Sequence, residues 1–396
     1  MRPATLAAVS FVSAVVGAAL VLALGLATGR LDGSGERVVV SGIEPPPSPP
    51  PLERASNLAR ATFDPARTYA QRSAGVVTIH AGFGSSGEAT SQGSGFVVSP
   101  EGYVLTNAHV ITTAPGSAVE PASELYVEFE DRDRISAEIV GWDVFNDVGL
   151  IKVDPAAHEL VPVPLGDSAK VGVGEPVSAI GSPFGNQNTL TAGVVSATRR
   201  SIDSLIDGYQ IVDAIQTDAE INHGNSGGPL FDSIGRAIGI NAQIRSTTGL
   251  NQGVGFAVPI NSAKRSMAQL IASGRVRYGY VGIATNDLTP TIARHFRYRI
   301  PYGAVVMCVK PGSPAQRAGL HGGTGRELYN GVSMVREADV IVAIDGLPVR
   351  RGDDVIRIVS ALSPGEVAGF DVLRGKARRT FEVKLGERSA TPSEGC

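Results

Sequence analysis

From about Tyr69 onward, short apolar, β-branched runs alternate with glycine-containing turns: 75–81, 93–98, 102–106, 125–129, 148–153 and 177–180. Runs this short and this regularly punctuated predict an antiparallel barrel or sandwich rather than βαβ units. A helical pattern over 263–271 closes this region before Gly274, so one domain is expected over 69–272. A second is expected over 279–387, where strand-like runs mix with helical stretches at 315–318 and 353–360. A polar tail, 388–396, follows. Upstream the pattern changes. Between Arg2 and Arg30 lie 27 uncharged residues rich in Ala, Val and Leu, more than the ~20 needed to span a bilayer. They predict a transmembrane helix over 4–28, with a cleaved signal as the alternative because Ala27-Thr28-Gly29 offers a cleavage site. Residues 29–68, with the run Pro45-Pro46-Pro47-Ser48-Pro49-Pro50-Pro51, read as a semi-rigid linker.

Composition narrows the function classes. Hydrophobic residues are 43% and charged ones 18%, enough apolar surface for a buried core. Thirty-five basic residues against 38 acidic ones give −3 with no polybasic tract, which argues against a nucleic-acid partner. Two cysteines, Cys308 and Cys396, cannot build a disulfide framework or a cysteine-rich metal site. Cys308, inside the run Ala304-Val305-Val306-Met307-Cys308-Val309, reads as a buried strand cysteine, and Cys396 as a free thiol. None of the six histidines has a metal-binding spacing, so no metal and no cofactor is expected.

The chemistry concentrates in Gly224-Asn225-Ser226-Gly227-Gly228-Pro229-Leu230. Glycines around a serine let the backbone turn sharply and aim N–H groups at one point, as an oxyanion hole requires. A nucleophile elbow of the α/β-hydrolase kind fits less well: it needs a helix after the serine and a histidine beyond it. Here Pro229 and the strand-like 237–241 follow, and the later histidines, His295 and His321, fall in the second domain. A nucleophilic serine needs a base, and the base an orienting acceptor. His109 follows the run Tyr103-Val104-Leu105-Thr106, and Asp147 opens Val148-Gly149-Leu150-Ile151-Lys152-Val153. Asp143 competes for the orienting role but lacks a strand directly behind it.

With these strings in view, the chain resembles the HtrA/Deg family of trypsin-like serine proteases that carry PDZ domains. Leu165-Gly166-Asp167-Ser168, Ala179-Ile180-Gly181-Ser182-Pro183-Phe184-Gly185 and Gly253-Val254-Gly255-Phe256-Ala257-Val258-Pro259 add to the match. The resemblance implies a mainly β fold: a chymotrypsin-like double β-barrel, then one PDZ domain, behind the N-terminal transmembrane helix. It implies cofactor-free serine endopeptidase activity on unfolded or regulatory proteins, in a homotrimer. His109 would be the base, Asp147 its orienter and Ser226 the nucleophile, with Gly224, Asn225 and Ser226 shaping the oxyanion hole. Ile221 matches the position that makes the substrate pocket shallow and apolar. Glu220, one residue earlier, either points outward or favours basic side chains. Ser182 reads as a structural hydroxyl, and His223 as a variable position beside the hole.

Tyr280-Val281-Gly282-Ile283 resembles the carboxylate-binding loop of PDZ domains, which add a peptide as an extra strand and hold its C-terminus. The segment 321–337 is longer than a compact PDZ domain uses there. A loop over 199–212, with Arg200 as the sensing arginine, would relay peptide binding to the protease. Cage-forming members of the resembled family have a long loop where this chain has a short one, over 82–92, so the resemblance implies a trimer rather than a cage. The expected location is a single-pass membrane protein with its catalytic domain outside the cytoplasm. The competing reading is a PDZ-based peptide-binding or chaperone protein with little proteolysis.

Overall fold

The computed structural model describes residues 63–84, 89–113, 119–182, 188–205, 209–222, 224–244 and 253–389. The expected membrane helix over 4–28, most of the 29–68 linker, His223 and 390–396 lie outside the described residues. Among the described residues no helix is long and apolar enough to cross a membrane.

The last part of the expected linker is folded. Asp64 accepts from the Arg67 N–H and caps a helix, α1 (Pro65–Arg72), with proline in its first turn, where a missing N–H costs nothing. Six strands then close an antiparallel barrel in the order β1 (Val76–Phe83), β2 (Ala89–Val97), β3 (Tyr103–Thr106), β6 (Val148–Val153), β5 (Arg134–Asp143), β4 (Glu124–Glu128). A short helix, α2 (Ala108–Ile111), follows β3. A second closed barrel has the order β10 (Pro229–Phe231), β11 (Ala237–Ile244), β12 (Gly255–Pro259), β9 (Gln210–Thr217), β8 (Thr189–Asp203), β7 (Pro176–Gly181). Helix α3 (Ile260–Ser273) ends on Gly274 in the left-handed region, a conformation glycine adopts without strain.

Two of the expected loops are shorter than the sequence suggests. Strand β1 runs to Phe83 and β2 restarts at Ala89, because Gly82 and Thr90 still pair across the hairpin. Likewise β8 and β9 extend into the expected sensing loop over 199–212. Their pairing survives three register shifts, with Arg199 and Asp213 in the left-handed region. Arg200 is therefore a strand residue opposite Ala214. It is exposed, and its Nε donates to Gln216 Oε1 at 3.0 Å.

Phe96, Leu105 and Leu150 of the first barrel pack in one cluster with Ile180, Phe231 and Val258 of the second. Fully burying such side chains contributes ~1.5–3 kcal/mol each, which fixes the seam between the barrels.

The C-terminal domain is one sheet ordered β14 (Ile283–Leu288), β15 (Gly303–Val309), β18 (Val340–Ile344), β20 (Val367–Arg374), β21 (Ala377–Lys384), with β19 (Leu347–Pro348) paired to β18. Helices α4 (Pro290–Phe296), α5 (Pro314–Ala318) and α6 (Gly352–Ser360) accompany it, and β13 (Gly279–Tyr280) pairs with β22 (Gly386–Glu387). The long 321–337 segment is a hairpin, β16 (Thr324–Tyr329) and β17 (Val332–Arg336). Its base is held by Asp339, fully buried, which accepts from the His321 N–H at 2.8 Å and from Arg374 at 2.6 and 2.7 Å.

Two expectations change here. Cys308 is half-buried and disulfide-bonded, not an apolar-core thiol; Cys396 lies outside the described residues. Arg388, expected in a solvated tail, is half-buried, stacked 4.2 Å from the Tyr209 ring.

Candidate active site

Asp147 is fully buried at the mouth of β6 and adopts a left-handed backbone, φ 52°. Such a conformation is strained for most side chains, and aspartate tolerates it better than most. The side chain of Asn107, also fully buried, donates to the Asp147 carbonyl at 2.7 Å and fixes that turn. The Asp147 carboxylate is thereby aimed at α2. Its Oδ1 accepts from the His109 backbone N–H at 3.1 Å, and its Oδ2 from the ring Nδ1 at 2.8 Å. Two contacts to one residue set both the position and the tilt of the imidazole. With Nδ1 donating, Nε2 is left as the basic nitrogen. Burial pulls the His109 pKa down, but the charge and hydrogen bond of Asp147 outweigh it, and the net shift is upward.

Asp143 is not in this constellation. It is buried beneath the seam with the C-terminal domain, accepting from Ser266 Oγ at 2.7 Å, Asn146 Nδ2 at 3.2 Å and the Tyr278 hydroxyl. Burial pushes its carboxyl above the usual range despite these donors.

Ser226 lies on the turn before β10. Strand β2 supports it: the Ser94 N–H donates to the Ser226 carbonyl at 2.8 Å, and Ser94 Oγ to the Gly224 carbonyl at 2.5 Å. Gly227 has φ 86°, and a Cβ there would run into the Ser94 carbonyl and the Thr106 hydroxyl. Only glycine fits. Ser94 Oγ also accepts from the Ser182 N–H at 2.9 Å, and Thr78 donates to Ser182 Oγ at 2.6 Å. Ser182 is thus a fully buried support beneath the turn.

The backbone N–H groups of Gly224 and Ser226 donate to no acceptor among the described residues. Asn225 between them is turned inward, 2% exposed, with Nδ2 donating to the Glu220 carbonyl at 3.2 Å. The Ser226 hydroxyl donates to the Ala242 carbonyl at 3.3 Å and not to His109. Ile221 is buried among Val195, Ala219 and Ala257. Glu220 is exposed and accepts from Asn222 Nδ2 at 2.6 Å.

At the second site Gly282 has φ 78°, and a Cβ there would strike Ser313. Its carbonyl accepts from the Lys310 N–H and that of Val281 from the Ala315 N–H, both at 2.9 Å. The Val281 and Gly282 N–H groups have no acceptor among the described residues. They face a groove of about 340 Å³ between β14 and α6, lined also by Tyr280, Ile283, Lys310 and Arg388.

Sequence reasoning missed Ser94, Asn107 and the Ala242 carbonyl. The glycines flanking Ser94 and the adjacency of Asn107 to Ala108-His109 were the signals available.

Comparison with known proteins agrees with this layout. A trypsin-like peptidase domain model matches residues 93–240, and a PDZ domain model matches 279–385. The chain is 38% identical over 343 residues to a probable periplasmic serine endoprotease DegP-like of Pseudomonas fulva, covering 87% of this chain and 64% of that one. It is also 38% identical to the chloroplastic Protease Do-like 1 of Arabidopsis thaliana, covering 74% and 63%. The chain thus spans less than two thirds of these relatives. Among solved structures, the HtrA-type protease AlgW with tripeptide superposes with a TM-score of 0.69 at 32% identity, covering 82% of this chain and 98% of that one. The serine endoprotease from Yersinia pestis gives 0.59 at 28%, covering 82% and 98%. This chain belongs to the HtrA/Deg family of trypsin-like serine proteases with a PDZ domain.

Proposed function

We propose that this protein is a serine endopeptidase of protein quality control or regulated proteolysis that works through His109, Asp147 and Ser226. The observation that carries the reading is the double contact of Asp147 to His109 beside two N–H groups at the serine turn that have no acceptor among the described residues. Ser226 Oγ attacks the scissile carbonyl carbon, and His109 Nε2 takes the hydroxyl proton. The oxygen, now negative, is met by the Gly224 and Ser226 N–H groups. Asp147 stabilises the imidazolium, which then protonates the leaving amine as the C–N bond breaks. Water enters, His109 takes its proton, and the acyl–serine ester is hydrolysed to free acid and Ser226 hydroxyl.

The Val281 and Gly282 N–H groups fit the terminal carboxylate of a client or regulatory peptide, with the chain added along β14. Occupancy there would raise proteolysis. The half-buried Arg388 supports such coupling, standing over Tyr209, whose ring meets Phe145 edge-on at 5.1 Å, two residues before Asp147. The extracytoplasmic location is supported by the DegP-like relatives, described as periplasmic. A membrane tether rests on the apolar run 4–28, and a homotrimer on the family resemblance.

A second reading, peptide binding or chaperoning with little proteolysis, draws on the Ser226 hydroxyl resting on Ala242. The deciding experiment is hydrolysis of an unfolded protein by wild type and Ser226→Ala. A fall of ~10⁴-fold or more in the variant, with folding intact, is expected. Turnover retained by the variant, or none by wild type with saturating free-acid peptide, would sink the protease reading.

A further inference from the structure

The peptide groove does not stop where a short C-terminal ligand would. A second cavity of about 390 Å³ continues it, sharing Thr285 and Ile356 with the first. Its walls are the far half of β14, the start of α6, Val332 of the inserted hairpin and Gln210 at the start of β9. The edge of β14 away from β15 has no strand partner among the described residues, so extended chain can pair along all of it.

The two halves differ in charge. Lys310 and Arg388 stand at the carboxylate end. Asp287 and Asp353 stand at the other, whose lining includes no basic residue. Asp287 is exposed, with Oδ1 accepting from the Gly352 N–H at 2.8 Å. Asp353 is half-buried and accepts from Ser201 Oγ of β8 at 2.6 Å. A strand rises ~3.3 Å per residue, so a peptide anchored at Gly282 and running antiparallel to β14 brings roughly its fourth residue before the terminus beside Asp287.

We propose that the hairpin and the far end of β14 form an acidic subsite that selects a basic residue about four positions upstream of the ligand's C-terminus. This rests on the PDZ reading above and deepens it. The hairpin supplies an apolar wall, Val332, against the stem of a Lys or Arg, while Asp287 and Asp353 face its charge. A ligand long enough to fill the subsite also meets Gln210, and so touches the protease domain directly. A tripeptide reaches none of these groups.

The test is fluorescence anisotropy on the full chain carrying Ser226→Ala, so that ligands are not cut. The probes are a free-acid tripeptide, its amide, and seven-residue free acids carrying Lys or Glu four before the end. The Lys peptide should bind about fivefold or more tightly than the Glu peptide, the difference expected of an exposed charge pair. That preference should shrink in Asp287→Asn and vanish in the double variant Asp287→Asn, Asp353→Asn, while tripeptide affinity holds. It should also shrink at high salt in the Ser226→Ala chain with both aspartates intact, a measurement that needs no further variant. Equal affinity for the Lys and Glu peptides, with the free acid still preferred to the amide, would overturn the subsite alone. Equal binding of free-acid and amidated tripeptide would overturn carboxylate capture and the subsite with it.

Discussion

The proposed base, His109, can act only when its ring is neutral, and Asp147 raises the pKa of that ring against the pull of burial. The base is protonated and idle below this pKa, so activity rises with pH through it and is lost on acidification. The acid limb of kcat/KM should therefore have its midpoint above the ordinary histidine value of ~6.5. In Asp147→Asn the limb should move down and the rate fall by ~10⁴, as expected when the ring loses its orienting acceptor. A limb unmoved by Asp147→Asn would deny the pair this role. One residue before the buried Ile221, Glu220 faces solvent with Asn222 as partner. A carboxylate there cannot meet a buried cationic side chain, and the substrate pocket proposed beside Ile221 would be apolar. Cleavage should fall after Val, Ala or similar residues, and Glu220→Ala should leave the profile of a peptide library nearly unchanged. A dominant Lys or Arg preference, lost in that variant, would reverse the assignment.

At the level of elements, the inserted hairpin depends on a buried ion pair at its root. Asp339 is fully buried and bound by the Arg374 fork, whose guanidinium lies 4.7 Å from the Phe381 ring. Arg374→Ala would strand a buried carboxylate with the backbone N–H of His321 as its remaining donor, which costs on the order of 3–5 kcal/mol. Urea unfolding should show the loss in the C-terminal domain, and an unchanged midpoint would mean that solvent reaches Asp339. This device was not legible in the sequence, because Arg374 and Asp339 meet only through β18–β20 pairing. The elements that carry the candidate site were legible: β3 and β6 are dense apolar runs, and the turn before β10 has glycines on both sides of its serine. Strands β8 and β9 were hidden. Their exposed faces and register shifts blur the period-two alternation on which strand reading depends.

Across the whole molecule, the division into a double barrel and a C-terminal sheet could be read from turn spacing and local motifs. What joins them could not. The seam is made by single residues far apart in sequence: Asp143, Ser266 and Tyr278 in one buried cluster, and Phe145, Tyr209 and Arg388 stacked beside it. The same long-range view shows where the molecule is vulnerable. Both barrels close on themselves, and the C-terminal sheet ends in β14 and β21. Strand β21 carries Arg378, Arg379, Glu382 and Lys384, whereas β14 has Asp287 as its one charge. An open strand edge with little charge is a template for any unfolded chain, and the substrates proposed here are unfolded chains. The receptor strand is thus also the colloidal weak point, and a bound peptide would act as its cover. Static light scattering on heating should show aggregation beginning at a higher temperature with free-acid peptide than with its amide at equal concentration. Asp287→Val should aggregate earlier than wild type, and identical onsets throughout would place the hazard on some other surface.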